Sequence, residues 1–256
     1  MDIDIKGFLF DLDGVFCIDN IPIPGSVRIL NHLNINNIPY RFLTNTTTRS
    51  RYSLFKKLNQ LGFPIIEEHI ISASYAGVLK LRELGSPTCQ LILKEDAQRD
   101  YSEFIIDNSN PEYIVIGDLD RDWNFDIINK IFNKVINGAI ILALHKGKYF
   151  KVKENLQIDS GAFIKGIEYA ASTESILVGK PEKNFFNLAI DDINIPLENL
   201  VMVGDDIIND IGGAQACGVK SILVETGKFR KDLIDKSTIV PDLMIPSINS
   251  LIDLLD

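Results

Sequence analysis

Four short segments carry residue types that could do chemistry together. The first is Asp11-Leu12-Asp13-Gly14, directly after the apolar run Phe8-Leu9-Phe10. Side chains at i and i+2 of an extended segment point the same way, so the two carboxylates can share one site. Gly14 lets the chain turn away. Carboxylates this close suit a Mg²⁺ site or an acid–base pair, because a like charge nearby raises one pKa. The spacing alone is weak, since it recurs at Asp2/Asp4, Asp118/Asp120 and Asp120/Asp122. What sets Asp11 apart is its company. The next apolar run, Tyr40 to Leu43, ends in Thr44-Asn45-Thr46, where a hydroxyl and backbone N–H groups can hold phosphate oxygens. The run after Asp118 ends instead in Leu144-His145-Lys146. Val178-Gly179-Lys180-Pro181 follows, with a lysine expected at a helix start. Positive charge is unfavourable there, so Lys180 asks for an anionic partner. Last comes Val201-Met202-Val203-Gly204-Asp205-Asp206-Ile207-Ile208-Asn209-Asp210, an apolar run with Asp205 and Asp206 at its end and Asp210 about one helical turn further. Each segment has a bland reading by itself: solvated acids, a surface lysine, an N-capping aspartate.

The elements that position these residues alternate. Strands are expected at Gly7–Phe10, Tyr40–Leu43, Leu200–Val203, Val219–Val224 and around Leu243. Helices are expected at Ser26–Asn36, Ser50–Leu61, Lys183–Ile190 and Ile207–Cys217, with Glu67–Ile71 leading into another. Continuous rather than alternating apolar strands mean that both faces are covered, as in a parallel sheet between helices. All four segments fall at strand ends or helix starts, where ligands of open α/β sheets lie. The stretch 77–177 has its own alternation: strands Cys89–Leu93, Tyr113–Ile116 and Ala139–Leu144, helices Asp126–Ile136 and Gly161–Ala171. Periodicity does not decide whether it extends the first sheet or forms a second α/β unit. Trp123 and Phe125 are expected to staple the start of one helix, and His32 and His69 to be ordinary surface or core residues.

Composition bounds the function. The chain has 256 residues and a formal net charge of −9, room for one large domain or two modest ones. The acidic balance argues against a nucleic-acid binder or a polybasic membrane-surface protein. Cys17, Cys89 and Cys217 form no metal or disulfide pattern. The first residues carry acids before the apolar run and do not read as a secretory signal, and no apolar run is long enough to span a bilayer. The expectation is a soluble protein of a reducing cytoplasm.

Strand–Asp-x-Asp, strand–Thr, Gly-Lys-Pro and strand–Gly-Asp-Asp-x₃-Asp, in that order, resemble the haloacid dehalogenase superfamily of phosphohydrolases, over the whole chain. The likeness is closer to the branch of NagD and pyridoxal phosphate phosphatase. Within it, the sequence is most similar to the haloacid dehalogenase-like hydrolase domain-containing proteins and phospholysine phosphohistidine inorganic pyrophosphate phosphatase. Ala143-Leu144-His145-Lys146-Gly147-Lys148-Tyr149, Gly179-Lys180-Pro181-Glu182-Lys183, Gly212-Gly213-Ala214-Gln215 and Thr226-Gly227-Lys228 carry that finer match. The resemblance implies a Rossmann-like doubly wound core with an inserted C2-type α/β cap, and a Mg²⁺-dependent phosphatase acting through an aspartyl-phosphate. Asp11 would be the nucleophile. Asp13 would protonate the leaving group and later activate water, which requires a raised pKa. Thr44 and the backbone of Asn45 would hold phosphoryl oxygens, and Lys180 would stabilise the nucleophile and phosphate. Asp205 would bind Mg²⁺ with Asp11 and the backbone carbonyl of Asp13, with Asp206 and Asp210 acting through water or as outer ligands. The run Thr46-Thr47-Thr48 departs from the second Asn of many relatives, which touches the detail of the phosphate loop.

Asp13 to Thr44 is too short for a large insertion, whereas Thr44 to Lys180 is far longer than a strand and helix need. The surplus marks 77–177 as the cap, with 1–76 and 178–256 as the core. In such relatives the cap selects the substrate and often pairs two chains, so a homodimer through the cap is expected. His145, Lys146 and Asp159-Ser160-Gly161 are its candidate contacts, although a structural or dimer-interface role suits His145 better, at the end of an apolar strand. The expected partner is a small phosphorylated molecule: a metabolite, a phosphorylated amino side chain or pyrophosphate. Two other readings fit parts of the pattern. A receiver-like signalling module also uses acids, Mg²⁺, Thr and Lys, but is about half this length and orders its acids differently. A metal-binding scaffold that had lost catalysis would be expected to lack one of Asp11, Asp13, Thr44, Lys180 or Asp205.

Overall fold

The computed structural model describes residues 4–152 and 155–255, so Asp2 lies outside the described residues. The chain divides into two compact units: Met1–Thr44, Leu54–Ile71 and Lys180–Asp256 in the first, Asn45–Ser53 and Ser72–Gly179 in the second.

The first unit is built on a six-stranded sheet. Across it run Leu243–Ile245, Lys220–Val224, Leu200–Gly204, Gly7–Phe10, Tyr40–Thr44 and Ile70–Ser72. Gly7–Phe10 pairs in parallel with both Leu200–Gly204 and Tyr40–Thr44. In chain order the six strands lie 6-5-4-1-2-3, the doubly wound arrangement whose order reverses between the first and fourth strands. Both central strands are buried at every position, as their unbroken apolar runs demand. Phe10, Phe16, Phe42, Phe63 and Tyr40 meet largely edge to face on one side of the sheet. Ile29, Leu30 and Leu33 of the helix Ser26–Ile35 bury against this core.

Two local expectations need correction. The helix expected over Ile207–Cys217 is a wide turn, Ile207–Gly212, followed by a short helix, Gly213–Ala216. The N–H of Ile211 reaches back to the carbonyl of Asp206, five residues earlier. Pro181 does not occupy a first helical turn either. It follows a cis peptide from Lys180 and precedes Glu182, the cap of the helix Lys183–Ile193. Lys180 therefore belongs to a loop, and a helix N-terminus does not set its environment.

The second unit has its own parallel sheet, ordered Ile176–Leu177, Ile140–Ala143, Tyr113–Ile116 and Cys89–Ile92, with the helices Ala73–Glu83, Phe125–Ile136 and Ser160–Ala171. The periodicity gave no sign of the antiparallel hairpin Tyr149–Val152/Asn155–Ile158. Trp123 stacks on Phe163, with ring centroids 4.8 Å apart. Phe125 stays 77% exposed, so of these two aromatic residues it is Trp123 that packs at that helix start. The unit takes in Asn45–Ser53 and Ser72–Ala76, and so extends beyond 77–177.

Candidate active site

The reversal of strand order brings the ends of Gly7–Phe10 and Leu200–Gly204 side by side, and ligands of such sheets lie in the crevice this opens. The N–H of Asp11 donates to the Val203 carbonyl at 2.9 Å, fixing one strand end against the other. Asp11, Asp205 and Asp210 are all buried, and one carboxylate oxygen from each lies within 4.8 Å of the others.

Lys180 supplies the charge that this group lacks. Its ammonium is buried and lies 2.5 Å from Asp11 Oδ1 and 2.7 Å from Asp210 Oδ1. Burial works against the lysine's charge, but Asp11 and then Asp210 outweigh it and hold its pKa above the ordinary value. One cation does not balance three carboxylates. Burial, then Asp11 and Asp210, push Asp205 well above the usual carboxylate range. Burial and Asp11 raise Asp210 against the pull of Lys180.

Asp210 also organises backbone. Its Oδ2 accepts the N–H groups of Asp205 at 3.1 Å and Asp206 at 3.0 Å, which the wide turn makes possible. Asp206 points elsewhere. It caps that turn, accepting from the N–H groups of Ile208 and Asn209, both at 3.0 Å, and its carboxylate is outside the close group. The Asp13 carboxylate is also outside it, on an exposed residue.

The loop Thr226-Gly227-Lys228, which carried part of the family likeness without an assigned role, belongs to the site. The Thr226 hydroxyl donates to the Gly14 carbonyl at 2.5 Å, and the Lys228 N–H donates to Asp205 Oδ2 at 2.7 Å. A Cβ on either Gly14 or Gly227 would stand 1.9 Å from that same oxygen. Both glycines also have positive φ, 90° and 61°, so the Asp205 carboxylate fits only between two residues without side chains. The Lys228 ammonium lies 3.7 Å from Asp206, and the surrounding carboxylates raise its pKa although burial opposes this. A Gly-Lys pair beyond the end of the strand Lys220–Val224 was the available signal. Asp205 Oδ1 is buried and has no hydrogen-bond partner among the described residues. A buried bare carboxylate oxygen beside two more carboxylates fits a hard divalent cation.

Thr44 is buried at the end of the strand next to Gly7–Phe10. Asn45 belongs to the second unit, as does His145. His145 Nε2 lies 2.9 Å from Asp159 Oδ1 and 3.1 Å from Ser160 Oγ. One nitrogen serves both groups, so the trio is not a relay from carboxylate through imidazole to hydroxyl. Burial opposes the Asp159 charge, but His145 and the Ser160 hydrogen bonds together outweigh it and lower that pKa. Lys146 pairs with the buried Glu168 at 3.1 Å.

Comparison with known proteins gives this geometry a family. A haloacid dehalogenase-like hydrolase model matches residues 8–104, and a HAD-hydrolase-like model matches 177–251. The chain is 35% identical over 249 residues to haloacid dehalogenase-like hydrolase domain-containing protein 2 of Bos taurus, covering 97% of this chain and 95% of that one. It is 31% identical over 255 residues to phospholysine phosphohistidine inorganic pyrophosphate phosphatase of Xenopus laevis, covering 99% and 93%. The fold matches 4-nitrophenylphosphatase from Thermotoga maritima with a TM-score of 0.91 at 23% identity, over 99% and 98% of the two chains. It matches NagD from E. coli K-12 with a TM-score of 0.85 at 24% identity, over 96% and 98%. The chain belongs to the haloacid dehalogenase-like hydrolase family, and it shares the fold of NagD.

Proposed function

We propose that this chain is a Mg²⁺-dependent phosphatase that hydrolyses a small phosphorylated molecule through an aspartyl-phosphate on Asp11. The observation that carries the reading is the buried Lys180–Asp11 pair beside Asp205, at the crevice where the strand order reverses. Lys180 orients the Asp11 carboxylate and offsets the charge of an incoming phosphoryl group. Asp11 attacks phosphorus, and the leaving oxygen departs with a proton from Asp13. Asp13 then takes a proton from the water that cleaves the aspartyl-phosphate, which returns the Asp11 carboxylate and releases phosphate. The Thr44 hydroxyl and the Asn45 backbone hold phosphoryl oxygens through both steps. Phosphoryl transfer depends on this kind of positioning and charge stabilisation. Asp11, Asp205 and the backbone carbonyl of Asp13 would hold Mg²⁺, with Asp206 and Asp210 acting through water or as outer ligands. The ion supplies further neutralisation of the phosphoryl charge.

In this reading the second unit is the cap that selects the substrate, with His145 and Lys146 as its candidate contacts, and pairs two chains. The three free cysteines fit a reducing cytoplasm. No described helix is long and apolar enough to cross a membrane. Phosphorylated amino side chains and pyrophosphate head the substrate classes, because the name of the Xenopus relative specifies them. The test is hydrolysis of p-nitrophenyl phosphate and a panel of phosphorylated metabolites. Turnover should require Mg²⁺, stop on chelation, and vanish in Asp11→Asn. Full activity of that variant would sink the mechanism, and a phosphoaspartate lasting minutes without turnover would favour a signalling module.

A further inference from the structure

The segment Asn45–Ser53 directly follows Thr44 and leads into the helix Arg51–Gln60, and it packs with the second unit along its length. At Gly179 a Cβ would stand 2.5 Å from Asn45 Oδ1, so the missing side chain makes room for the Asn45 amide. Gly117 does the same for Thr47, whose Cβ would be 2.9 Å away, and the Thr47 hydroxyl accepts the Asp118 N–H at 2.8 Å. Two carboxylates from Glu95–Tyr101 hold the helix start. Asp96 accepts from the Ser50 N–H at 3.1 Å and the Ser53 hydroxyl at 2.8 Å. Asp100 takes the Arg51 N–H on both oxygens, at 3.1 and 3.2 Å, and the Ser74 hydroxyl at 3.1 Å. The Arg51 guanidinium lies over the Tyr75 ring, 4.1 Å from its centre.

The first N–H groups of a helix have no acceptor within it, and negative charge there is favourable. Ser50 supplies one local cap, accepting the Ser53 N–H at 3.2 Å. Asp96 and Asp100 supply charged acceptors from more than forty residues away in the chain, which fixes the position of the helix start as well as satisfying it. The path from Thr44 to Arg51 is then held at Thr47 and at the helix start, with Asn45 packed closely against Gly179.

We propose that Asp96 and Asp100 are positioning residues for the phosphate-holding loop Thr44–Thr47. They act through the backbone of Ser50 and Arg51 and the hydroxyl of Ser53. The proposal rests on the phosphatase reading, in which Thr44 and Asn45 hold the phosphoryl group. Losing such a tether lowers binding of ground state and transition state alike, which raises KM and leaves kcat in place.

The experiment compares wild type with D96A/D100A, D96N/D100N and the control Asn124→Ala. Asn124 caps the helix Phe125–Ile136 in the same unit, accepting the Ile127 N–H, so its loss tests destabilisation alone. The readouts are kcat and KM for p-nitrophenyl phosphate, inhibition by inorganic phosphate, and hydrogen exchange at Ser50, Arg51 and Ser53. For D96A/D100A we expect KM and the phosphate inhibition constant to rise about tenfold, kcat to change less than about twofold, and those amides to exchange faster. D96N/D100N, which keeps one oxygen acceptor at each position but loses the second acceptor and the charge, should recover part of the affinity, and Asn124→Ala should leave KM unchanged. Wild-type KM and inhibition constant in D96A/D100A, or an equal rise in Asn124→Ala, would overturn the proposal. If wild type hydrolyses no phosphate ester, the phosphatase reading fails. The exchange data then judge the tether by themselves: unchanged exchange in D96A/D100A refutes it, and faster exchange supports it.

Discussion

Lys180 is a bridge between two buried carboxylates, and that sets its energetic role. Removing one member of a buried ion pair leaves charge uncompensated and typically costs about 3–5 kcal/mol. Lys180→Met should therefore lower the urea midpoint in metal-free buffer, and Mg²⁺ should restore part of the loss by replacing the missing charge. A variant as stable as wild type without metal would contradict the bridge. Gly227→Ala would put a methyl against Asp205 Oδ2 in a backbone conformation that alanine resists. Calorimetric titration should show weaker Mg²⁺ binding in a chain that still folds. His69 gives a pH prediction. Burial, reinforced by Arg41, pushes its pKa down to about 4. Its Nδ1 is buried without a hydrogen-bond partner among the described residues, and its ring lies 4.4 Å from that of Tyr40. The unfolded chain binds the proton first, so this contribution to stability is whole above about pH 6.5 and is lost as pH falls towards 4. His69→Phe should flatten the stability curve across that window. A curve of unchanged slope would show that other groups set it.

Among the elements, the strands were legible and the turn after Asp205 was not. An apolar run bounded by polar residues or glycine is a local pattern, and Gly7–Phe10 and Tyr113–Ile116 have the limits their sequences indicate. The segment Ile207–Cys217 has helical spacing, yet its first part widens. The reason is tertiary: Asp210 must turn back to accept the Asp205 and Asp206 N–H groups while meeting Lys180. Such wide turns occur often at functional sites. Asp206→Ala removes the cap of this element. It should cost about 1 kcal/mol of stability and speed hydrogen exchange at Ile208 and Asn209. Exchange at the wild-type rate would mean that Asp210 alone holds the turn.

At the scale of the whole molecule, a net charge of −9 excludes a polyanion-coating protein without excluding an anionic substrate. The acids gather where phosphate is proposed to bind, and burial and mutual repulsion already keep Asp205 from ionising freely. The metal-free protein should bind phosphate poorly, with metal binding first or together with it. Titration of phosphate with and without Mg²⁺ tests this order, and tight phosphate binding without metal would refute it.

The sequence by itself determined the alternation of strands and helices and the types of residue at their ends. Periodicity and strand-end position are properties of a few adjacent residues, so Asp11, Thr44, Lys180 and Asp205 could be picked out together with the family they resemble. Only the tertiary structure decided which strands are neighbours, and so that Asp11 and Asp205 meet. It also decided that Lys180 bridges Asp11 and Asp210, that two glycines enclose Asp205, and that Asp96 and Asp100 hold a distant helix start. Each of these joins residues far apart in the chain, and a local pattern carries no record of the strand order and loop paths that bring them together.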